Sequence, residues 1–201
     1  MPAIWPTFIG TVGGFLNAAV EKTHKDTANM IATQYDIAVS TANTSLHANI
    51  VMNTIPPSAI EIGILKTLDD IRESEGKPKL SHFTDWANAT SAYWLSAIMS
   101  PVPFHPANMA ASTGTAGIPV PITHIINNGG VIPALANDLL TAFSDGPQKI
   151  PYGIPFATKL VTAFTNHLST VGGLQTEFVT AGSPITPIPI GPIPAPWVGM
   201  V

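Results

Sequence analysis

Glu21 and His24 are the first residues along the chain whose types and spacing could do chemistry. A carboxylate and an imidazole three positions apart share one face of a helix, as they do in carboxylate-bridged metal bundles. Such bundles need two of these motifs and two further glutamates, whereas this sequence contains one motif. We therefore interpret His24 and its neighbours Lys25 and Asp26 as a solvated charge cluster, and we predict no metal site.

Ser81, His82 and Asp85 place the three residue types of a hydrolytic triad within "SHFTDW". Residues so close together on one helix cannot take up triad geometry, and a serine ahead of an apolar helix is a common N-cap. The glycines of "GTVGG" (10–14) lack the Gly-x-Gly-x-x-Gly spacing of a nucleotide site. The other histidines stand singly: His47, His105, His124 and His167. The sequence thus predicts a protein that is not an enzyme, with no catalytic residue and no cofactor.

The composition argues against several further classes of function. The formal net charge is −4, so no basic surface is available to hold nucleic acid. The chain contains no cysteine, which excludes disulfides and thiolate chemistry. No run of 18 apolar residues predicts a transmembrane helix, and the N-terminal "MPAIWPTFIGTVGG" lacks the basic and long apolar segments of a secretory signal.

The charged residues are distributed unevenly along the sequence. Fifteen of the twenty Asp, Glu, Lys and Arg residues lie between Glu21 and Asp85, and five lie after Trp86. Soluble surfaces usually carry about 25–35% charged residues, and residues 86–201 draw their polarity from Thr, Ser, Asn and Gly instead. We therefore expect much of the surface formed by residues 86–201 to be covered by other subunits.

The hydrophobic periodicity predicts a mainly α protein with Pro/Gly-rich connections, in which an irregular helical domain (1–182) is followed by an extended C-terminal arm (183–201). The segment "GTAGIPVPITHIINNGG" (114–130) is predicted to be a loop or a short extended piece. The predicted helices are Thr11 to about Ser45, Pro57 to the stop at Gly76, Ser81 (as N-cap) to Met99, and the segments beginning at Ile132 and Ile154.

The arm ends in "SPITPIPIGPIPAPWVGMV", which contains six prolines and no charged side chain. Alternating prolines favour polyproline II, which makes no internal hydrogen bonds and loses little entropy on docking. We predict that the arm docks on a neighbouring subunit, with docking on its own domain and disorder as the alternatives. Trp197 is the predicted anchor, because tryptophan is enriched among interface hot spots. The predicted partner-binding residues are Ile185, Ile188, Ile190, Ile193, Pro196 and Trp197.

In its low charge and its apolar, proline-rich tail, the chain resembles the virion structural proteins of tailed bacteriophages. The resemblance rests on composition and on the arm sequence, and no family residue is transferred by it. It implies a non-enzymatic assembly subunit of the head, neck, tail or baseplate, present in the virion and assembled in the host cytoplasm. Its partners would be other protein subunits of the particle, in a homo- or hetero-oligomer.

Two other functions are open to the same residues. The arm contains Pro-x-x-Pro at Pro184–Pro187 and Pro189–Pro192, so an intracellular adaptor could present it to an SH3- or WW-type groove. No Arg or Lys flanks these motifs, and the usual charged anchor is therefore missing. A membrane-active protein is the third reading, although the sequence lacks both a membrane span and a basic amphipathic face.

Overall fold

The computed structural model describes residues 3–40, 42, 49–53, 56–101, 123–144, 153–183 and 186–200, and for strand residues 49–53, 98–101, 123–125, 174–183 and 186–197 it describes the backbone. The described part of the chain is mainly helical, as predicted. Its helices are α1 (Trp5–Asn17), α2 (His24–Val39), α3 (Ser58–Glu73), a 3-10 turn (Leu80–Phe83), α4 (Thr84–Leu95), α5 (Ile132–Ser144) and α6 (Gly153–Leu168). Its strands are β1 (Asn49–Asn53), β2 (Ala97–Pro101), β3 (Thr123–Asn128), β4 (Gly172–Ser183) and β5 (Thr186–Val198).

The single helix predicted for residues 11–45 is wrong, because α1 and α2 are separate helices. The break between them is set by a capping box, in which the amide of Asp26 donates to Thr23 Oγ1 at 3.0 Å and the amide of Thr23 donates to Asp26 Oδ2 at 3.0 Å. A threonine followed three residues later by an acidic residue is a helix start signal. The single-helix prediction overlooks this signal because it treats Asp26 as part of a charge cluster.

Lys22 closes the end of α1 on the other side of the break. Its Nζ donates to the carbonyl of Ala18 at 2.6 Å and to that of Val20 at 2.8 Å. Glu21 therefore lies between the helices, and it does not share a helix face with His24.

The predicted helix after Pro57 is confirmed as α3, and the predicted stop at Gly76 is confirmed as well. Gly76 has a φ of 73°, in the left-handed region, and its amide donates to the carbonyl of Ile71 at 2.9 Å. This 6→1 hydrogen bond satisfies a carbonyl that the end of the helix would leave without a partner.

The predicted N-cap of the following helix is wrong. Ser81 lies inside the 3-10 turn, and α4 begins at Thr84 without a side-chain cap. The predicted end is also wrong, since α4 stops at Leu95 and Ile98 belongs to β2. The large aromatic side chains of this segment, Phe83, Trp86, Tyr93 and Trp94, are all buried.

The five strands form one sheet in the order β1-β2-β3-β4-β5, with every neighbouring pair antiparallel. The predicted loop or extended piece at residues 114–130 contains β3, and residues 114–122 lie outside the described part of the chain. α5 and α6 follow their predicted segments, and α6 begins one residue early, at Gly153.

The core is organised around the ring of Phe164 on α6. Its centroid lies 6.2 Å from Trp5 and 5.8 Å from Phe8 of α1, 4.7 Å from Tyr35 of α2, and 6.3 Å from Trp86 of α4. Aromatic pairs at such separations contribute beyond the area that they bury. One side chain of α6 therefore joins three other helices.

Two hydrogen bonds connect α2 and α4 beside this cluster. Trp94 Nε1 donates to the hydroxyl of Tyr35 at 2.8 Å, and the hydroxyl of Tyr93 donates to Asp36 Oδ1 at 2.6 Å. Burial raises the pKa of Tyr35, so its hydroxyl keeps its proton over the physiological range. The aromatic polar groups thus fix the relative position of the two helices.

Glycine allows α1 and α6 to approach closely. A Cβ at Gly13 would stand 2.5 Å from Ile154 Cδ1, and one at Gly153 would clash with the carbonyl oxygen of Gly13. The amide of Gly153 donates to Asn17 Oδ1 at 2.7 Å, which joins the start of α6 to the end of α1.

Replacing Phe164 with alanine is expected to lower the free energy of unfolding by about 4 kcal/mol, because it removes ring contacts to three helices and leaves a cavity. Phe15→Ala, at a half-buried position of α1, is the matched control and should cost much less. Chemical denaturation followed by circular dichroism measures both. Equal losses in the two variants would show that the cluster is not organised around Phe164.

Candidate interaction surface

The structure places the predicted arm in β5, the last strand of the sheet. Ile188, Ile190, Ile193, Pro196 and Trp197 all lie in this strand. Ile185 lies outside the described residues, and the side chains of the other five do as well. The contacts predicted for these side chains, including the anchor role of Trp197, therefore stay predictions.

The backbone of the arm pairs with β4 of the same chain. The pairing runs from Ser183 opposite Thr186, at the connection, to Gly172 opposite Val198. Residues 186–198 of the arm thus form an antiparallel strand. The division into a domain (1–182) and an arm (183–201), and docking on a neighbouring subunit, stay predictions.

The last described residues of the arm attach to the end of α6. The amide of Gly199 donates to the carbonyl of Val171 at 2.8 Å, and that of Met200 donates to Leu168 at 3.0 Å. Gly199 has a φ of 94°, which favours glycine. The side chain of Met200 is 2% exposed and belongs to the core, whereas Val198 is 65% exposed.

Met200 is a core residue that the pattern of prolines and the tryptophan in the tail does not predict. The available signal was the "VGM" that follows the last proline, where a glycine allows a turn and an unbranched apolar side chain can enter an irregular gap.

Met200→Ala is expected to lower the free energy of unfolding by about 2–3 kcal/mol, because a core side chain is truncated. Val198→Ala, two residues away and mostly exposed, should change it by less than about 0.5 kcal/mol. Guanidinium titration of the two variants beside the wild type is the measurement. If Met200→Ala is as stable as Val198→Ala, the tail is not anchored in the core.

The outer faces of α5 and α6 form a surface that we call the uncharged face. Its exposed side chains, none of them charged, are Pro133, Ala134, Asn137, Thr141, Ser144, Ile154, Pro155, Thr158, Thr162, Thr165 and Asn166. The two helices contain two charged residues, Asp138 and Lys159, and both are half-buried. Asp138 Oδ2 accepts a hydrogen bond from Asn166 Nδ2 at 2.9 Å, so one of these charges is partly satisfied within the face.

The surface of α2, α3 and the start of α4 contrasts with the uncharged face. Lys66 Nζ lies 2.8 Å from Asp85 Oδ2 and 3.0 Å from Asp70 Oδ2, and His24 Nδ1 lies 2.8 Å from Asp69 Oδ1. The hydrogen bonds to Asp85 and then to Asp70 raise the pKa of Lys66 to about 12. Charged groups here pair with one another at the surface.

The catalytic candidates rejected from the sequence are not brought together as a site. His82 is buried, its Nδ1 accepts from the amide of Lys79 at 3.3 Å, and its Nε2 lies 3.3 Å from Ser74 Oγ. Asp85 pairs with Lys66 rather than with His82. Within the described ranges, no group of three or more His, Asp or Glu residues could hold a metal ion. No helix of these ranges has the length and apolar character needed to cross a membrane.

A cleft of about 700 Å³ opens at the break between α1 and α2. Its apolar walls include Phe15, Val20 and Met30, and Lys22 Nζ stands 5.2 Å from the centroid of the Phe15 ring. The ammonium of Lys22 is already occupied by two carbonyls of the chain. The apolar walls of the cleft could accept an apolar side chain.

His167, which stands singly in the sequence, is a buried titratable group. It is 2% exposed, near the end of α6, and its Nε2 packs against the backbone of Gly130. Among the described residues neither ring nitrogen has a hydrogen-bond partner, although the backbone of Gly129 approaches the ring. Burial lowers the pKa of His167 to about 4, and Gly129 opposes this shift only in part.

The hydrogen bonds of Thr170 stabilise the turn that covers His167. The hydroxyl of Thr170 donates to the carbonyl of His167 at 2.7 Å and accepts from the amide of Val131 at 2.9 Å. Asn128 Nδ2 donates to the carbonyl of Thr170 at 3.2 Å. A proton on His167 would therefore be buried beneath a closed turn.

Acidification is expected to destabilise the protein through His167. An unfolded histidine binds a proton below about pH 6.5, whereas the folded His167 stays neutral down to about pH 4, so stability is lost as the pH falls through this window. The loss is worth roughly 3 kcal/mol. His167→Leu should lack it, and urea titrations at pH 7 and pH 4.5 compare the two. Parallel profiles for wild type and His167→Leu would contradict the assignment.

Comparisons of the chain with protein-family models, with curated protein sequences and with solved structures give no match. The function is therefore argued from the surface itself.

Proposed function

We propose that this chain is a non-enzymatic structural subunit of a large particle, a tailed-bacteriophage virion, and that it assembles with other subunits of that particle. The observation that supports this proposal most is the uncharged face of α5 and α6, which exposes Thr, Ser, Asn, Pro, Ala and Ile and no charged side chain.

The free energy needed to cover a surface with another subunit depends on the charges that the surface carries. Burying an unpaired charge at an interface costs several kcal/mol, whereas threonine, serine and asparagine can be covered once their hydrogen bonds are satisfied. The cores of protein interfaces are accordingly depleted in charged residues. A face built in this way can be buried against another subunit at low cost, and it is poorly protected against association when it is left in water.

The surface of α2, α3 and the start of α4 has the composition of one that stays in solvent. Lys66, Asp70 and Asp85 form a small ion-pair network there, and such exposed pairs contribute little to stability. Their role in the proposed subunit is to keep this side hydrated. Among the described residues, α5 and α6 contain two charged side chains, both half-buried, whereas α2 and α3 expose several, including Lys25, Lys66 and Arg72.

No observation favours the alternative of a proline-ligand adaptor. A peptide in an SH3- or WW-type groove takes up polyproline II, whereas Pro187, Pro189, Pro192, Pro194 and Pro196 lie in a strand that is paired with β4. Binding to such a groove would require β5 to leave the sheet first.

The purified chain is expected to form assemblies larger than a monomer, and lysine on the uncharged face is expected to disrupt them. Thr158→Lys and Thr165→Lys each place an added ammonium in the covered surface, so association should weaken at least about a hundredfold. Sedimentation velocity over a range of protein concentrations measures the effect.

Thr84→Lys is the matched control, because it adds the same charge at an exposed threonine at the start of α4. It should leave the assemblies unchanged. A wild-type chain that is a monodisperse monomer at every concentration, alone and with the other proteins of the particle, would overturn the proposed function. Equal tolerance of lysine at all three positions would remove the uncharged face as the interface.

A further inference from the structure

β5 is the last strand of the sheet and the richest in proline. Five of its thirteen residues are proline, at positions 187, 189, 192, 194 and 196. Proline has no N–H and cannot donate to a ladder, so it is tolerated in a strand only where the amide would point away from the partner strand. The positions of these prolines relative to β4 therefore determine which backbone hydrogen-bonding groups the outer edge of β5 presents to another strand.

Residues of β5 alternate between two kinds of position in the β4–β5 ladder, or two phases, and all five prolines have the same phase. Each is opposite an even-numbered residue of β4, in the pairs Gly182–Pro187, Thr180–Pro189, Phe178–Pro192, Thr176–Pro194 and Leu174–Pro196. In an antiparallel pair, successive residues direct their backbone groups alternately toward the partner strand and away from it. One phase of β5 thus holds all the prolines, and the other holds residues that have an N–H.

The spacing of the prolines in the sequence agrees with an irregularity in the ladder. The prolines are two residues apart except between Pro189 and Pro192, where the spacing is three. The register shifts at this place, because Ile190 and Gly191 of β5 lie opposite the single residue Val179 of β4. A one-residue bulge keeps Pro192 and the prolines after it in the phase of Pro187 and Pro189.

The same alternation shows which backbone groups of β5 point away from β4. The ladder runs along the whole strand, so the residues that donate to β4 are those that alternate with the prolines, such as Ile188, Ile193, Ala195 and Trp197. The prolines take the outward positions. At these five places the outer edge of β5 presents carbonyl oxygens and no N–H.

We infer that β5 blocks strand addition at this edge of the sheet, so that a second copy of this chain cannot extend the sheet through β5. An added strand needs donors from the edge at alternate residues, and here the residues in this phase are proline except Val198, the last residue of the strand. The carbonyl groups of the added strand would lose their hydrogen bonds to water without gaining a donor from β5, which disfavours the pairing. The inference does not depend on the proposed virion function.

The first test reads the direction of each amide. Pro189→Ala and Pro194→Ala, made singly, each introduce one amide at an outward position. In dilute protein the introduced amide should exchange with deuterium about a hundredfold faster than the amides of Ile188, Ile193 and Ala195, which must break a ladder bond before they exchange. NMR-detected exchange measures this ratio. An introduced amide that is as protected as its neighbours would point toward β4, and the inference would be wrong.

The second test restores donors to the edge. The variant with Pro189→Thr, Pro192→Thr and Pro194→Thr regains three outward amides in residues that favour strands. Its introduced amides should exchange freely at low concentration and become at least about tenfold more protected at high concentration, as strands add to the edge. Sedimentation should show larger species than the wild type forms at the same concentration.

The matched control carries Ile188→Thr, Ile193→Thr and Ala195→Thr. It has the same number of added threonines in β5, but its outer edge still lacks donors, so it should not associate more than the wild type. Introduced amides that stay unprotected at all concentrations, together with a wild-type sedimentation profile for the proline variant, would overturn the inference. Single-proline variants, which perturb folding least, keep the first test decisive if the triple variant does not fold.

Discussion

The contacts of the Phe164 ring are the constraint on which the arrangement of the helices depends. This ring of α6 meets Trp5 and Phe8 from α1, Tyr35 from α2 and Trp86 from α4. Its pairs with Phe8 and Tyr35 are edge-to-face, the geometry that the ring quadrupole favours. Because α6 faces this cluster with one side, its threonines are left on the other side. The uncharged face is therefore the reverse of the aromatic core.

The helices could be predicted from the sequence wherever an apolar stripe and a terminal signal agreed. α3 has both, and so do α5 and α6, with Ile-Pro at the start and glycine after the end. The single-helix prediction misses the break before α2 because it treats Asp26 as part of a charge cluster, whereas Asp26 forms a capping box with Thr23. The early end of α4 was missed because Ile98 continues the helical spacing, and the pairing of β2 with β1 overrides that spacing.

The candidate surface was predictable in part. The shortage of charge after Trp86 could be counted from the sequence, and the prediction that the arm interacts rested on residue types. Which strand the arm pairs with depends on contacts between distant parts of the chain, and local patterns do not encode them. The burial of Met200 and His167 is of the same kind, since each depends on the end of α6 meeting a segment that is remote in the sequence.

The uncharged face and the proline edge act on different kinds of association. Backbone pairing at a sheet edge uses groups that every chain possesses, so it discriminates poorly between partners and can continue without limit. Packing between helix faces depends on the shape and the hydrogen-bonding groups of particular side chains, which makes it selective. A subunit with an unprotected edge and an uncharged face would have two competing ways to associate. Because prolines take most of the outward positions of β5, its edge does not support backbone pairing with another strand. Contacts made at this edge must come from side chains, or from donors that a partner supplies to the carbonyl groups of β5.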